Sequence, residues 1–148
     1  MINSNISPAG LAVRDVLRIE MGYCLYGHEI SENVNPLDAS LHWIIKKDRD
    51  FVGSNFIFNK LSQNNKLIFI KMLDRGIPRE GFELFQENQK IGEITSGTFS
   101  YNLGIGVGIA SINKNIDNYS DITIDIRGNK YKVLGSNRSF LNNRSLRK

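Results

Sequence analysis

Two arginines stand one helical turn apart, Arg14 and Arg18, with Asp15 and Glu20 beside them in the otherwise apolar run GLAVRDVLRIEMGY. Like charges at i, i+4 disfavour an isolated helix by roughly a few tenths of a kcal/mol. The pair makes sense where Asp15 and Glu20 neutralise it, or where an anion sits between. Two chemistries fit the spacing. One is a solvated ion-pair face. The other is a guanidinium fork waiting for a carboxylate or a planar polar heterocycle.

The element that must hold these side chains is a helix over residues 7–23. Ser7 can accept a hydrogen bond from an orphan amide of the first turn, and Pro8 at the first helical position loses no donor that had a partner. Ala12, Val16, Ile19 and Tyr23 recur as one buried face, with Arg14, Arg18 and Met21 on a neighbouring stripe. The chain then leaves through a Tyr26-Gly27 turn and the acidic loop SENVNP, where Pro36 bars a helix and pushes Asn35 toward an extended conformation. LHWII at 41–45 reads as a short strand anchored by Trp43 as a core residue. A basic turn, KKDRD, leads to an amphipathic helix carrying Phe51, Phe56, Ile57, Lys60 and Leu61, ended by Asn64 and Asn65.

The composition changes at that Asn-Asn pair. Beyond it come short apolar segments with turns between them: KLIFIKML, GFELFQ, KIGEITSGTFS, VGIASIN, DITIDI and KYKVLGS. Strands of about five residues with turn signals every 8 to 12 residues or so predict an antiparallel Greek-key barrel of about six strands. Ile122, Ile124 and Ile126 alternate with Thr123 and Asp125, so one face is buried and the other wet. Gly128-Asn129 signals a hairpin. The Gly104, Gly106 and Gly108 spacing falls outside any βαβ unit, so it predicts bulges and tight corners and not a phosphate loop. The boundary between the two parts is placed at residues 62–65.

Apolar residues at 41% and charged residues at 23% suit a soluble globular chain. The net charge of +4 invites an anionic partner, yet the cations are scattered apart from a tail at Arg138, Arg144, Arg147 and Lys148. A nucleic-acid binder more often shows a basic face with interleaved aromatics, so none is expected. A single cysteine excludes an internal disulfide and a structural zinc site, and Cys24 in its apolar run reads as a buried, inert thiol. His28 and His42 lack a third ligand at metal spacing and read as surface or packing residues. No apolar run approaches the roughly 20 residues of a membrane span, and residues 1–7 read as a polar leader without a signal-peptide core. A cytoplasmic protein is expected.

GLAVRDVLRIEMGYCLYGHEI, followed by NP, Trp43, FVG at 51–53 and GEITSGTFS at 92–100, resembles the C-terminal part of the glycine cleavage T-protein, the tetrahydrofolate-dependent aminomethyltransferase. The similarity runs from about Pro8 to the end, in one order. The chain departs from the family pattern at Tyr101, where a proline is usual, and at Gly104, where a lysine is common. The resemblance implies an α+β chain: the C-terminal end of a folate-binding α+β domain over 1–63, then a six-stranded antiparallel Greek-key barrel over 64–148. It implies tetrahydrofolate as substrate, and the lipoylated H-protein as the partner that delivers an aminomethyl group. It assigns Arg14, in the GLxxRD motif, to contact folate or substrate, and a second contact in the tail to Ser145, or to Arg144 if the register slips by one.

The family's catalytic aspartate and most of its folate pocket lie upstream of the matching part, and no catalytic carboxylate is identifiable here. The expected function is therefore a C-terminal fragment of an aminomethyltransferase, inactive without the N-terminal part: either a truncated gene product or one half of a split enzyme. The alternatives are a noncatalytic folate-binding module and a fragment of a related demethylase or of a sarcosine or dimethylglycine oxidase.

Overall fold

The alternation that predicts the strands also closes them on one another. The computed structural model describes residues 8–58 and 64–141. Six strands, β1 (Asn65–Met72), β2 (Glu83–Gln86), β3 (Gln89–Ser100), β4 (Ile105–Asn113), β5 (Ile122–Ile126) and β6 (Asn129–Ser136), form a closed antiparallel barrel in the order β1-β4-β3-β2-β5-β6. β2, β3 and β4 are sequential neighbours, and β1 lies beside β4, which is the Greek-key connection. Every second residue points inward: Ile68, Ile70 and Met72 from β1, Ala110 and Ile112 from β4, Ile122 and Ile124 from β5. The β5–β6 hairpin turns at Arg127-Gly128, with φ of 57° and 83°, the pair of positive values that matches the twist of the flanking strands. The Asp125 carboxylate accepts a hydrogen bond from the Gly128 amide at 2.7 Å and fixes that turn.

The glycines in β3 and β4 make room for backbone. A Cβ on Gly106 would lie 2.3 Å from the Gly76 carbonyl oxygen, and one on Gly97 would lie 2.3 Å from the Pro78 carbonyl oxygen. The connection from β1 to β2 crosses the sheet there, and only residues without a side chain let it approach so closely.

The helical part sits on the outer wall of β3 and β4. Helix α1 (Leu11–Met21) starts later than the spacing predicts, because residues 8–10 do not continue it and Gly10 is extended at φ −75°, ψ 162°. The predicted Ser7 cap lies outside the described residues. Ile19, at 0% exposure, packs with Val107 and Ile109 of β4 and with Phe140, and the Phe140 ring meets Phe69 edge-on at 5.5 Å. Of the predicted buried face, Val16 is half-buried, whereas Ala12 and Tyr23 are exposed. The barrel reaches only the last turns of the helix, so its first turn stands clear.

The segment after the loop corrects two further expectations. LHWII forms no strand: His42–Ile44 is a single 3-10 turn, and Trp43 is 75% exposed instead of buried. The β propensity of those residues is overridden because no neighbouring strand offers them backbone partners. The second helix, α2 (Ser54–Phe58), is one short stretch with Phe56 at 68% exposure, while Lys60 and Leu61 lie outside the described residues. No helix among the described residues is long and apolar enough to cross a membrane.

Gly22 ends α1 in the left-handed region at φ 75°. Its amide bonds to the Ile19 carbonyl at 3.0 Å, and the Tyr23 amide bonds to the Arg18 carbonyl at 2.8 Å, the double closure of a Schellman motif. A Cβ here would meet Phe69 Cε1 at 2.8 Å. Gly22→Ala is therefore expected to lower stability by about 1–3 kcal/mol through left-handed strain and overpacking together. Urea unfolding checks this, and an unchanged midpoint would contradict it.

Candidate functional site

The helix comes to rest on the barrel through one buried cation. Arg18, 8% exposed, donates from Nε to Asp15 Oδ1 at 2.6 Å, from Nη1 to Glu29 Oε2 at 3.1 Å and to the Tyr23 carbonyl at 3.3 Å, and from Nη2 to Ser96 Oγ at 2.9 Å. Glu29 is buried as well. Its Oε2 also accepts the Leu25 amide at 3.0 Å, and its Oε1 accepts the Thr95 hydroxyl at 2.7 Å. The ring of contacts ties α1, the loop through residues 23–30 and strand β3 into one unit.

A β-bulge makes this geometry available. β3 pairs Ile94 with Ala110 and Ser96 with Ile109, so the register slips by one residue around Thr95. Ala110 faces the barrel interior and Ile109 faces α1. Strict alternation from Ile94 would send Ser96 inward, and the slip turns both Ser96 and Ser100 outward toward the helix instead. The signal for this in the sequence is the TSG triplet at 95–97.

Glu20 forms the second tether. Its carboxylate, fully buried, accepts from Ser100 Oγ at 2.5 Å and Asn102 Nδ2 at 2.6 Å. The expectation that Glu20 neutralises the arginine pair is thus corrected. Asp15 and Glu29 neutralise Arg18, and Glu20 points the other way to the end of β3. His28 presents Nδ1 to the Thr95 carbonyl and to Glu80 Oε2, each at 3.2 Å. Both are acceptors only, so Nδ1 carries its proton.

Arg14 lies on the exposed side of α1 and makes no hydrogen bond or ion pair among the described residues. The structure distinguishes the two arginines: Arg18 makes four hydrogen bonds to protein partners, and the Arg14 fork meets none among the described residues. The predicted tail contacts, Arg144 and Ser145, lie outside the described residues. An open cleft of about 290 Å³ is bordered by Asp15, Arg18, His28, Arg79 and Glu80, and a groove of about 600 Å³ runs past Tyr23, Trp43, Lys66 and Tyr119. Cys24 borders the groove half-buried, and burial pushes its thiol up to about 11, with the Glu29 charge adding to the rise. Among the described residues no group of three His, Cys, Asp or Glu side chains is placed to hold a metal ion.

Two outcomes follow from these charges. Arg18→Met is expected to cost about 3–5 kcal/mol of stability because it leaves Glu29 buried without its cation, and adding Glu29→Met should recover part of that loss. Simple additivity in a double-mutant cycle would contradict the clasp. Cys24 in the folded chain should alkylate at pH 8 roughly 100-fold more slowly than an unperturbed thiol, since its thiolate fraction falls about tenfold per unit of pKa. An ordinary rate would contradict the burial that raises it.

Comparison with known proteins agrees with this architecture. The family model described as the GCVT N-terminal domain matches residues 2–49, and that described as the glycine cleavage T-protein C-terminal barrel domain matches residues 65–141. An aminomethyltransferase of Phocaeicola vulgatus is 44% identical over 139 residues, covering 87% of this chain and 37% of its own length. A probable aminomethyltransferase of Pyrococcus abyssi is 40% identical over 141 residues, covering 87% of this chain and 35% of its own. The crystal structure of glycine cleavage system aminomethyltransferase T from Bartonella henselae superposes with a TM-score of 0.81 at 28% identity, over 90% of this chain and 39% of that one. The chain thus spans little more than a third of the length of these relatives. With the barrel-domain model matched over more than half of the chain, and its fold superposed on that of an aminomethyltransferase, the chain belongs to the glycine cleavage T-protein family.

Proposed function

We propose that this chain is the C-terminal piece of a tetrahydrofolate-dependent aminomethyltransferase of the glycine cleavage system, dividing near residue 63 into the end of the folate-binding domain (1–63) and the barrel domain (64–148). The observation that carries the reading is the guanidinium of Arg14, without a partner among the described residues, on a helix otherwise fixed to the barrel by hydrogen bonds of buried Arg18 and Glu20 to Ser96 and Ser100. Support for the division comes from the change to strands at Asn65 and from the two family matches on either side of it.

In the complete reaction an aminomethyl group on the lipoyl arm of the H-protein gives up ammonia and passes its one-carbon unit to tetrahydrofolate. Arg14 holds and orients the folate, through its carboxylates or the polar edge of its ring. It is not the acid, because a guanidinium keeps its proton at neutral pH. Ser145, or Arg144, supplies the second contact. The barrel and α1 furnish one wall of the pocket, and the catalytic carboxylate comes from the upstream part, so the chain by itself is inactive. Work of this kind is positioning and electrostatic support, which fits a wall where the Arg14 guanidinium has no partner among the described residues. The setting is cytoplasmic, with the H-protein as macromolecular partner.

In a complex with the upstream part, Arg14→Ala should weaken tetrahydrofolate binding by about 1.5–3 kcal/mol, the worth of a hydrogen bond to a charged donor. Titration calorimetry measures it, and unchanged affinity would reduce Arg14 to a surface residue. Binding of tetrahydrofolate by the chain alone with equal affinity would favour a noncatalytic folate-binding module instead.

A further inference from the structure

A smaller hollow, of about 100 Å³, lies between the loop that follows α1 and the outer wall of the barrel. Buried or half-buried Glu29, Asp38, Thr95 and Ser111 line it, and exposed Asn33 and Asn65 stand at its rim. The two acids differ in their partners. Glu29 is matched by Arg18, by the Leu25 amide and by the Thr95 hydroxyl. Asp38, only 9% exposed, forms no ion pair among the described residues: its Oδ2 accepts the Asn64 amide at a long 3.3 Å, and its Oδ1 accepts nothing. The Ser111 hydroxyl is likewise without a partner there. Every side-chain oxygen or nitrogen sealed away from open space among the described residues has a partner, so both of these oxygens border open space, and the hollow is the space that Asp38 and Ser111 share. A carboxylate so deeply buried on one long hydrogen bond is costly unless a cation accompanies it.

We propose that this hollow binds a monovalent cation of the size of ammonium or potassium, held by Asp38 Oδ1 and Ser111 Oγ. Charge decides the class. Arg18 cancels Glu29, the Nδ1 of His28 on the wall is engaged by Glu80 and the Thr95 carbonyl, and Asp38 leaves one negative charge unmatched. A divalent ion favours several carboxylates, and among the described residues no three acidic, histidine or cysteine side chains converge. A water occupies about 10–15 Å³ of such space, so the hollow takes the ion together with waters that complete its shell. Bound there, the ion links the loop carrying Asp38 to strand β4, beside the clasp of Arg18 and Glu29, and stabilises the folded chain by mass action.

Thermal unfolding of the full chain tests this, at fixed chloride concentration, with tetramethylammonium replaced stepwise by potassium or by ammonium. The methyl groups of tetramethylammonium keep its charge away from Asp38, so Tm should rise saturably with either replacement. Asp38→Asn, nearly isosteric, should abolish the rise, and Ser111→Ala should move its midpoint to a several-fold higher concentration. Asp48→Asn, at an exposed acid elsewhere on the surface, should keep it. The quantity read is the cation-dependent increment, so a lower starting Tm in Asp38→Asn does not obscure the result. Rubidium in place of potassium, located in a crystal of the unsubstituted chain by its anomalous scattering, should lie beside Asp38 and Ser111. Equal Tm in all three salts, a rise that Asp38→Asn retains, or rubidium found only at other positions would each overturn the proposal.

Discussion

A guanidinium taken out of water must find partners for its charge and its donors, and in this chain Arg18 finds them on three separate segments. Asp15 comes from its own helix, Glu29 from the loop that follows, and Ser96 from the third strand of the barrel. Removing any one leaves a buried donor or a buried charge unpaired, which costs far more than the pair contributes in net attraction. The arrangement therefore specifies a geometry more than it adds stability. Arg18 also lies in the last turn of α1, where a cation complements the carbonyl end of the helix.

That geometry depends in turn on the slip in β3. A barrel strand normally gives every second side chain to the interior, which would leave no polar side chain at Ser96 for the helix to grip. By spending one extra residue at Thr95, the strand offers Thr95 to Glu29 and Ser96 to Arg18 at once, then keeps Ser100 outward for Glu20. Two buried acids and one buried arginine are thereby satisfied by a single stretch of sheet edge to edge with the helix. Ile19 fills the space between the two tethers, and burying a side chain of that size stabilises the contact by about 1.5–3 kcal/mol. What stays outside this set, Arg14 with Val13 and Leu17 beside it, has no structural duty within the described residues.

The barrel was legible because its information is local. Period-two alternation in DITIDI and KYKVLGS fixes which side chains face inward, and the turn between them shows itself through residues that accept positive φ. The glycines of β3 and β4 could be read as corners, though not as the place where residues 76–78 cross, since a close approach of distant backbone leaves no trace beyond the missing side chain. LHWII illustrates the opposite case. Its residues favour a strand, but a strand needs a neighbour, and tertiary context supplied none. The two arginines were equally visible and equally spaced. Which of them is buried is decided by Glu29 and Ser96, 11 and 78 residues away, and helical periodicity carries no information about those partners.

The central physical claim is that α1 and the barrel form one cooperative body, so that Arg14 projects from a rigid wall and not from a loosely attached arm. Native-state hydrogen exchange tests it most directly. The amides of residues 18–20 should open with the same free energy as those of Val107 and Ile109 in β4, close to that of global unfolding. Exchange of the helix at a much lower free energy, while β4 stays protected, would contradict the account.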